Sequence, residues 1–167
     1  RRAGAVEGEI LCVTGSLGGA AAGLRIALGK ANASGSIKAS LLSALFEPEP
    51  RINEGLALSG FATSMTDISD SLAISLHELS DASGVGFQID EEKIPLAEGV
   101  KDTFEDPLDL SIYGGGDFEL LFTIKREDED SVKEEVPISV IGEVTSGGIA
   151  LKGSGKEVEF RGYNHFK

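Results

Sequence analysis

Cysteine is nearly missing from this chain. Cys12 is the single one among 167 residues, so neither a disulfide framework nor a cysteine metal cluster can be built within it. It sits in the apolar run EILCVTG and reads as a small buried residue. Histidine is almost as scarce, and His77 and His165 are too far apart in sequence to make a zinc spacing. Positive charge is in short supply: 15 Lys and Arg face 28 Asp and Glu, a net charge of −13. That balance excludes a protein whose main partner is a nucleic-acid backbone or an anionic membrane. Long apolar runs are absent as well. No segment approaches a membrane span, and the opening RRAGAVEGE lacks the apolar region of a secretory signal, which makes the cytoplasm the expected compartment. A phosphorylated small substrate stays open, because a metal ion reverses the local sign.

What is present is an ordinary globular composition, 41% hydrophobic with 22 glycines, enough for one good-sized core and many tight turns. GEILCVTG (8–15) reads as a buried strand. Residues 16–30 read as a small-residue helix with Ala21, Leu24 and Leu28 on one face, residues 31–38 as a loop, and residues 39–50 as a second helix stopped by Pro48 and Pro50. RINEGLALSG gives a short helix and FATSMTD a strand. Leu72, Leu76, Leu79 and Ala82 then mark a helical stripe, with Ser75, Glu78 and Asp81 off it and His77 on the solvent side beside Asp81. A strand follows at Val85 to Ile89, then a loop with Pro95. FELLFTI forms a strand long enough to be central, with Phe118 and Phe122 both in the core, and DEDSVKEEV a short acidic helix. IGEV and GIAL read as a hairpin, and EVEF as an added edge strand. Helices early and strands late describe an α+β domain with helices on at least one face of its sheet.

Two stretches raise the question of chemistry. In TSMTDISDSL a strand end gives way to a helix, and Asp67, Ser69 and Asp70 crowd the junction. Helix capping explains one such side chain. A magnesium and phosphate station explains all three, since Mg²⁺ is commonly held by one or two carboxylates with substrate phosphate oxygens. The residues alone leave both readings open. In YGGGDFELLF, Gly114, Gly115 and Gly116 allow a close backbone approach, while Asp117 and Glu119 put charge beside an apolar strand. A plain glycine turn with solvated charges is the alternative.

The segments RAGAVEGEILCVTGSLGGAAAGL, DISDSL, ASGVGFQID, IPL, GGGDFELLFTI, IGEV and GYNHF occur in the order expected for the C-terminal half of a thiamine-monophosphate kinase. The chain resembles that family over nearly all of its length, within the wider aminoimidazole ribonucleotide synthase-like superfamily of two-domain ATP users. The resemblance implies a single C-terminal domain over 1–167, layered α/β/α with a mixed, largely antiparallel, partly ferredoxin-like sheet. It implies transfer of the γ-phosphate of ATP to thiamine monophosphate with Mg²⁺, a missing N-terminal domain needed for catalysis, and a homodimer for the complete protein. Carried over by motif, Asp67 and Asp70 would hold the metal, with Asp70 catalytic. Ser69 and Arg2 would meet phosphate, and Tyr163 and Asp117 the substrate. Apart from the resemblance, the aromatic tail residues Tyr163, His165 and Phe166 read as a tied-down C-terminus with Phe166 as its buried anchor. This sequence departs from the family at Gly19 and Gly116, where acids are usual, and at Ser71, where glycine is usual. Alternatives are a ligase of the aminoimidazole ribonucleotide synthase type, and a standalone binding domain whose carboxylates only cap a helix.

Overall fold

The structure is a computed structural model, and it describes residues 1–163. The C-terminal residues 164–167, and with them the expected Phe166 anchor and His165, lie outside the described residues. Among the described residues six strands form one sheet: β1 (Ile10–Thr14), β2 (Ser64–Ile68), β3 (Gly86–Ile89), β4 (Glu119–Ile124), β5 (Ile138–Thr145) and β6 (Ile149–Leu151). Their spatial order is β2-β4-β1-β5-β3-β6, antiparallel throughout except for the parallel β3–β6 pair. The sheet is therefore mixed and largely antiparallel. β1 is buried at every position, because both of its faces are covered. Leu11 and Val13 join Ile68, Leu121 and Ile141 under Leu72, Leu76 and Leu79 of α4 (Leu72–Ser83). Ile10 and Cys12 join Phe122 and Ile124 under Leu58 of α3 (Ile52–Leu58) and Val132 of α7 (Glu129–Glu135). This is the layered α/β/α arrangement. Burial also pushes the Cys12 thiol up to about 12, so it is inert as a nucleophile.

A third cluster lies beside the sheet, where α1 (Gly19–Ala27) packs on α2 (Gly35–Phe46) and on two helices that the sequence pattern does not separate, α5 (Val100–Thr103) and α6 (Pro107–Tyr113). The buried side of α1 differs from the expected stripe. Gly19, Ala20, Ala22, Gly23 and Ile26 are buried, while Leu24 and Leu28 are 46% and 59% exposed. The reason is close approach: a Cβ on Gly23 would lie 2.1 Å from the Leu41 carbonyl oxygen. The helix pair meets through its smallest residues and leaves the leucines outside.

Other expectations are corrected. β5 and β6 are not a hairpin pair, because β3 lies between them. The connection crosses the start of β3, where the amide of Phe87 donates to the Gly148 carbonyl at 2.8 Å. A Cβ on Gly86 would come within 2.2 Å of that same oxygen. The EVEF segment contributes only an isolated bridge, Ala150 to Glu157. Ala82 is exposed, whereas Ser75 is buried and donates to the Asp67 carbonyl at 2.8 Å, tying α4 to β2. His77 does not face solvent beside Asp81: its Nε2 pairs with the Val158 carbonyl at 2.9 Å and its ring meets Phe160 edge to face. Phe122 is in the core as expected, but Phe118 is 43% exposed with φ 53°, before the strand begins.

α1 begins at Gly18, which has no side chain to cap it. Asp117 supplies the cap from another part of the chain, accepting from the amides of Gly18 at 2.8 Å and Ala20 at 3.0 Å. Burial, with a smaller contribution from the Glu119 charge, pushes the Asp117 carboxyl up to about 6 despite those amides. A carboxyl raised above its unfolded value stabilises the fold fully below about pH 4 and loses that contribution as pH rises through about 6. Relative to Asp117→Asn, the wild type should therefore lose up to about 3 kcal/mol between pH 4 and 7, measured by denaturant unfolding of both proteins at each pH. Gly23→Ala should cost about 2 kcal/mol by overpacking the α1–α2 contact, seen as a lower unfolding midpoint with an unchanged denaturant slope.

Candidate functional site

The chain leaves β2 at Ile68 and enters α4 at Leu72, so Ser69, Asp70 and Ser71 form the whole turn. A second loop, residues 114–118, is locked onto it. The amide of Gly116 donates to the Ser69 carbonyl at 2.8 Å, and that of Phe118 to the Ile68 carbonyl at 2.9 Å. Side chains are excluded from this contact: a Cβ on Gly115 would lie 2.7 Å from the Asp70 carbonyl oxygen, and one on Gly114 would lie 2.3 Å from that of Leu110. Packing thus explains the run of glycines better than a plain turn does.

The capping question has a definite answer. Ser71, whose hydroxyl accepts from the Ile74 amide at 3.0 Å, is the N-cap of α4. Ser69 and Asp70 are not used for it, and their side chains make no hydrogen bond or ion pair with any described residue. Both line a cleft of about 710 Å³. Its floor is the glycine loop, and its walls are Ala21, Leu24 and Arg25 of α1, Asp109, Leu110 and Tyr113 of α6, with Phe118 and Tyr163 at the rim.

The structure brings together Ser69, Asp70 and Tyr163 and leaves the other predicted residues elsewhere. Asp67 is exposed, two residues beyond Met65 on the same side of β2, the side of the Phe122 core, and does not line the cleft. Arg2 lies along the outer edge of β2, its guanidinium 3.2 Å from Glu78 and hydrogen-bonded to the Thr66 hydroxyl at 3.1 Å. Asp117 faces a separate polar hollow of about 350 Å³ on the other side of the loop, as the cap of α1. In that hollow Glu119 is buried and held in a bidentate pair by Arg51 at 2.7 Å, with the Thr14 hydroxyl donating at 2.6 Å.

Three cleft-side residues are not marked by the sequence pattern: Asp109, Tyr113 and Arg161. The Arg161 guanidinium stacks 3.8 Å from the centre of the Tyr113 ring and pairs with Asp109. The signal available was the i, i+4 spacing of Asp109 and Tyr113 behind Pro107, which starts α6. Two of the departures from the family pattern have steric reasons. A Cβ on Gly19 would sit 3.1 Å from that of Ala97, and Gly116 has φ +93° with Ala20 at 3.2 Å.

As a metal site the donor set is sparse. Among the described residues no three His, Cys, Asp or Glu side chains cluster. Asp70 nevertheless suits Mg²⁺, which takes one or two carboxylates and completes its shell with phosphate oxygens and water. No helix of the described residues is long and apolar enough to cross a membrane.

Residues 6–153 match the family described as AIR synthase related protein, C-terminal domain. A Methanospirillum hungatei protein named thiamine-monophosphate kinase is 40% identical over 166 residues, which are 99% of this chain and 52% of that protein. A crystal structure of thiamine-monophosphate kinase from Stenotrophomonas maltophilia K279a superposes with a TM-score of 0.85 at 30% identity, covering 93% of this chain and 54% of the other. A structure described as AaThiL complexed with AMPPCP and TMP gives 0.87 at 31%, covering 99% and 53%. The chain thus spans about half the length of the relatives it matches. Over that half, sequence and fold agree, and the chain belongs to the AIR synthase related family, as its C-terminal domain.

Proposed function

We propose that this chain is the C-terminal domain of a two-domain kinase that transfers the γ-phosphate of ATP to thiamine monophosphate, giving thiamine diphosphate and ADP. The observation that carries this reading is the unengaged pair Ser69 and Asp70, freed from capping by Ser71 and set in a cleft with an apolar and aromatic wall. One end of such a cleft suits phosphates and the other a flat heterocycle. The names of the relatives, and the AMPPCP and TMP bound in one of the solved structures, supply the substrates.

Charge supports a metal requirement. Among the described residues Arg25 is the cation lining the cleft, and it is already held by Asp106 through two hydrogen bonds of 2.6 and 2.8 Å. Asp109 is matched by Arg161, so among the described residues Asp70 is the carboxylate of the cleft left without a cation, and an anionic phosphate entering beside it needs a cation between. In this reading Asp70 would hold Mg²⁺ and Ser69 would donate to a phosphate oxygen, while Asp67, on the other side of β2, lies outside that site. Bound there, Mg²⁺ would neutralise charge on the transferring phosphoryl group. In the transfer itself, an oxygen of the thiamine monophosphate phosphate bonds to the γ-phosphorus while the bond to the β-phosphate oxygen breaks and ADP leaves. The acceptor is already ionised, so no general base is required. Arg2, paired with Glu78 and Thr66, and Asp117, the cap of α1, lie outside this cleft and carry no substrate contact in this reading. The N-terminal domain, a homodimer and a cytoplasmic setting complete it.

In the full-length protein, Asp70→Asn should lower turnover about a hundredfold or more with little change in thermal stability, since the amide keeps the shape and loses the charge; unchanged turnover at saturating Mg²⁺ would remove Asp70 from the reaction. Tyr163→Ala should raise the KM for thiamine monophosphate about fivefold and leave that for ATP unchanged, while Tyr163→Trp is tolerated. Steady-state kinetics with each substrate varied in turn decides, and equal effects on both KM values would exclude stacking on the heterocycle.

A further inference from the structure

Tyr163 sits at the cleft rim on a segment with no helix or strand of its own. Among the described residues, a set of contacts converging on the start of α4 holds it there. Ser71 is fully buried, and its hydroxyl has two partners: it accepts from the Ile74 amide as the helix cap, and it donates to the Arg161 carbonyl at 2.9 Å. Two residues on, the Tyr163 amide donates to the Asp70 carbonyl at 3.0 Å. Between these bonds Gly162 lies flat against the turn, and a Cβ there would come within 2.5 Å of the Ser71 hydroxyl oxygen and of Ile74. From the other side, the Arg161 side chain is held by Asp109 and by the face of Tyr113, both on α6 and both lining the cleft. The segment is thus pinned by main chain to the turn that carries Asp70 and by side chain to the opposite wall.

We propose that Ser71 and Arg161 are positioning residues for substrate: together they fasten Gly162 and Tyr163 across the mouth of the cleft and so set its affinity for the flat, aromatic part of the phosphate acceptor. The inference rests on the kinase reading for the identity of that acceptor, but the fastening itself does not. A serine hydroxyl that both caps α4 and binds the incoming segment couples the position of Tyr163 to the geometry of the Ser69–Asp70 turn. Glycine at this position would cap the helix nearly as well and would lose the bond to Arg161. Lysine at 161 would keep a charge for Asp109 and lose the planar stack on Tyr113.

Ser71→Gly and Arg161→Lys separate fastening from folding. Hydrogen exchange at the amide of Tyr163, measured on the unliganded full-length protein, should accelerate about fivefold in each variant, with exchange in β1 and β4 unchanged. In steady-state kinetics the KM for thiamine monophosphate should rise about fivefold, with the KM for ATP and kcat within twofold of wild type. Unchanged exchange at Tyr163 overturns the fastening, whatever the kinetics. Accelerated exchange with an unchanged KM for thiamine monophosphate, or with both KM values shifted equally, overturns the positioning role. If the wild type forms no thiamine diphosphate, the kinase reading fails by itself, and faster exchange in the variants still upholds the fastening.

Discussion

The cleft depends on two main-chain hydrogen bonds, from Gly116 to Ser69 and from Phe118 to Ile68. They join the end of an edge strand to the loop that feeds the strand beside it, just beyond the point where β2 and β4 cease to pair as a ladder. Because they are backbone bonds, side chains on neither loop are consumed in holding the loops together. Ser69 and Asp70 stay available, and the glycines of the second loop leave room above them. Substituting a larger residue at 115 would push the loop off the turn and open the cleft at its floor, since the Asp70 carbonyl lies well inside contact distance of any Cβ there.

Polar groups in the surroundings are matched with unusual completeness, and the matching divides labour. Among the described residues no buried side-chain nitrogen or oxygen lacks a partner. Ser71 caps α4, Asp117 caps α1, and Glu119 is satisfied by Arg51 and Thr14. A buried carboxylate so held is costly to strip of its partner, by several kcal/mol in comparable pairs, because the remaining charge has no water to turn to. The Arg51–Glu119 pair thus fixes where α3 begins relative to β4, and Asp117 fixes where α1 begins relative to the glycine loop. Against this background the unengaged Asp70 stands out as a group that the fold does not use.

Several features of the chain are legible in its sequence alone, each for a local reason. Short apolar runs mark β1 and β4, the leucine spacing marks the buried face of α4, and the crowding of Asp67, Ser69 and Asp70 marks the strand-to-helix turn. Ordered motifs point to the family and, through it, to a mixed and largely antiparallel sheet. Periodicity fails where neighbours rather than hydropathy decide burial. On α1 the glycines are inside, because another helix comes too close for leucine, and Phe118 is outside, because a left-handed backbone at that residue turns it away from the strand. The apparent hairpin fails for a topological reason: sequence adjacency of β5 and β6 carries no information about a third strand passing between them.

The sequence by itself determined the acidic balance, that its single cysteine cannot build a disulfide within this chain, the order of the elements that it marks strongly, and the family. These follow from composition and from patterns a few residues long. Which side chains share a cleft was decided only in three dimensions. Asp67 and Asp70 are three residues apart, yet only Asp70 lines it, since a strand alternates its faces and the turn then redirects the chain. Asp109 and Tyr113 meet Arg161 from about fifty residues away in sequence, a proximity set by how α6 packs beside α4 and not by spacing in the chain.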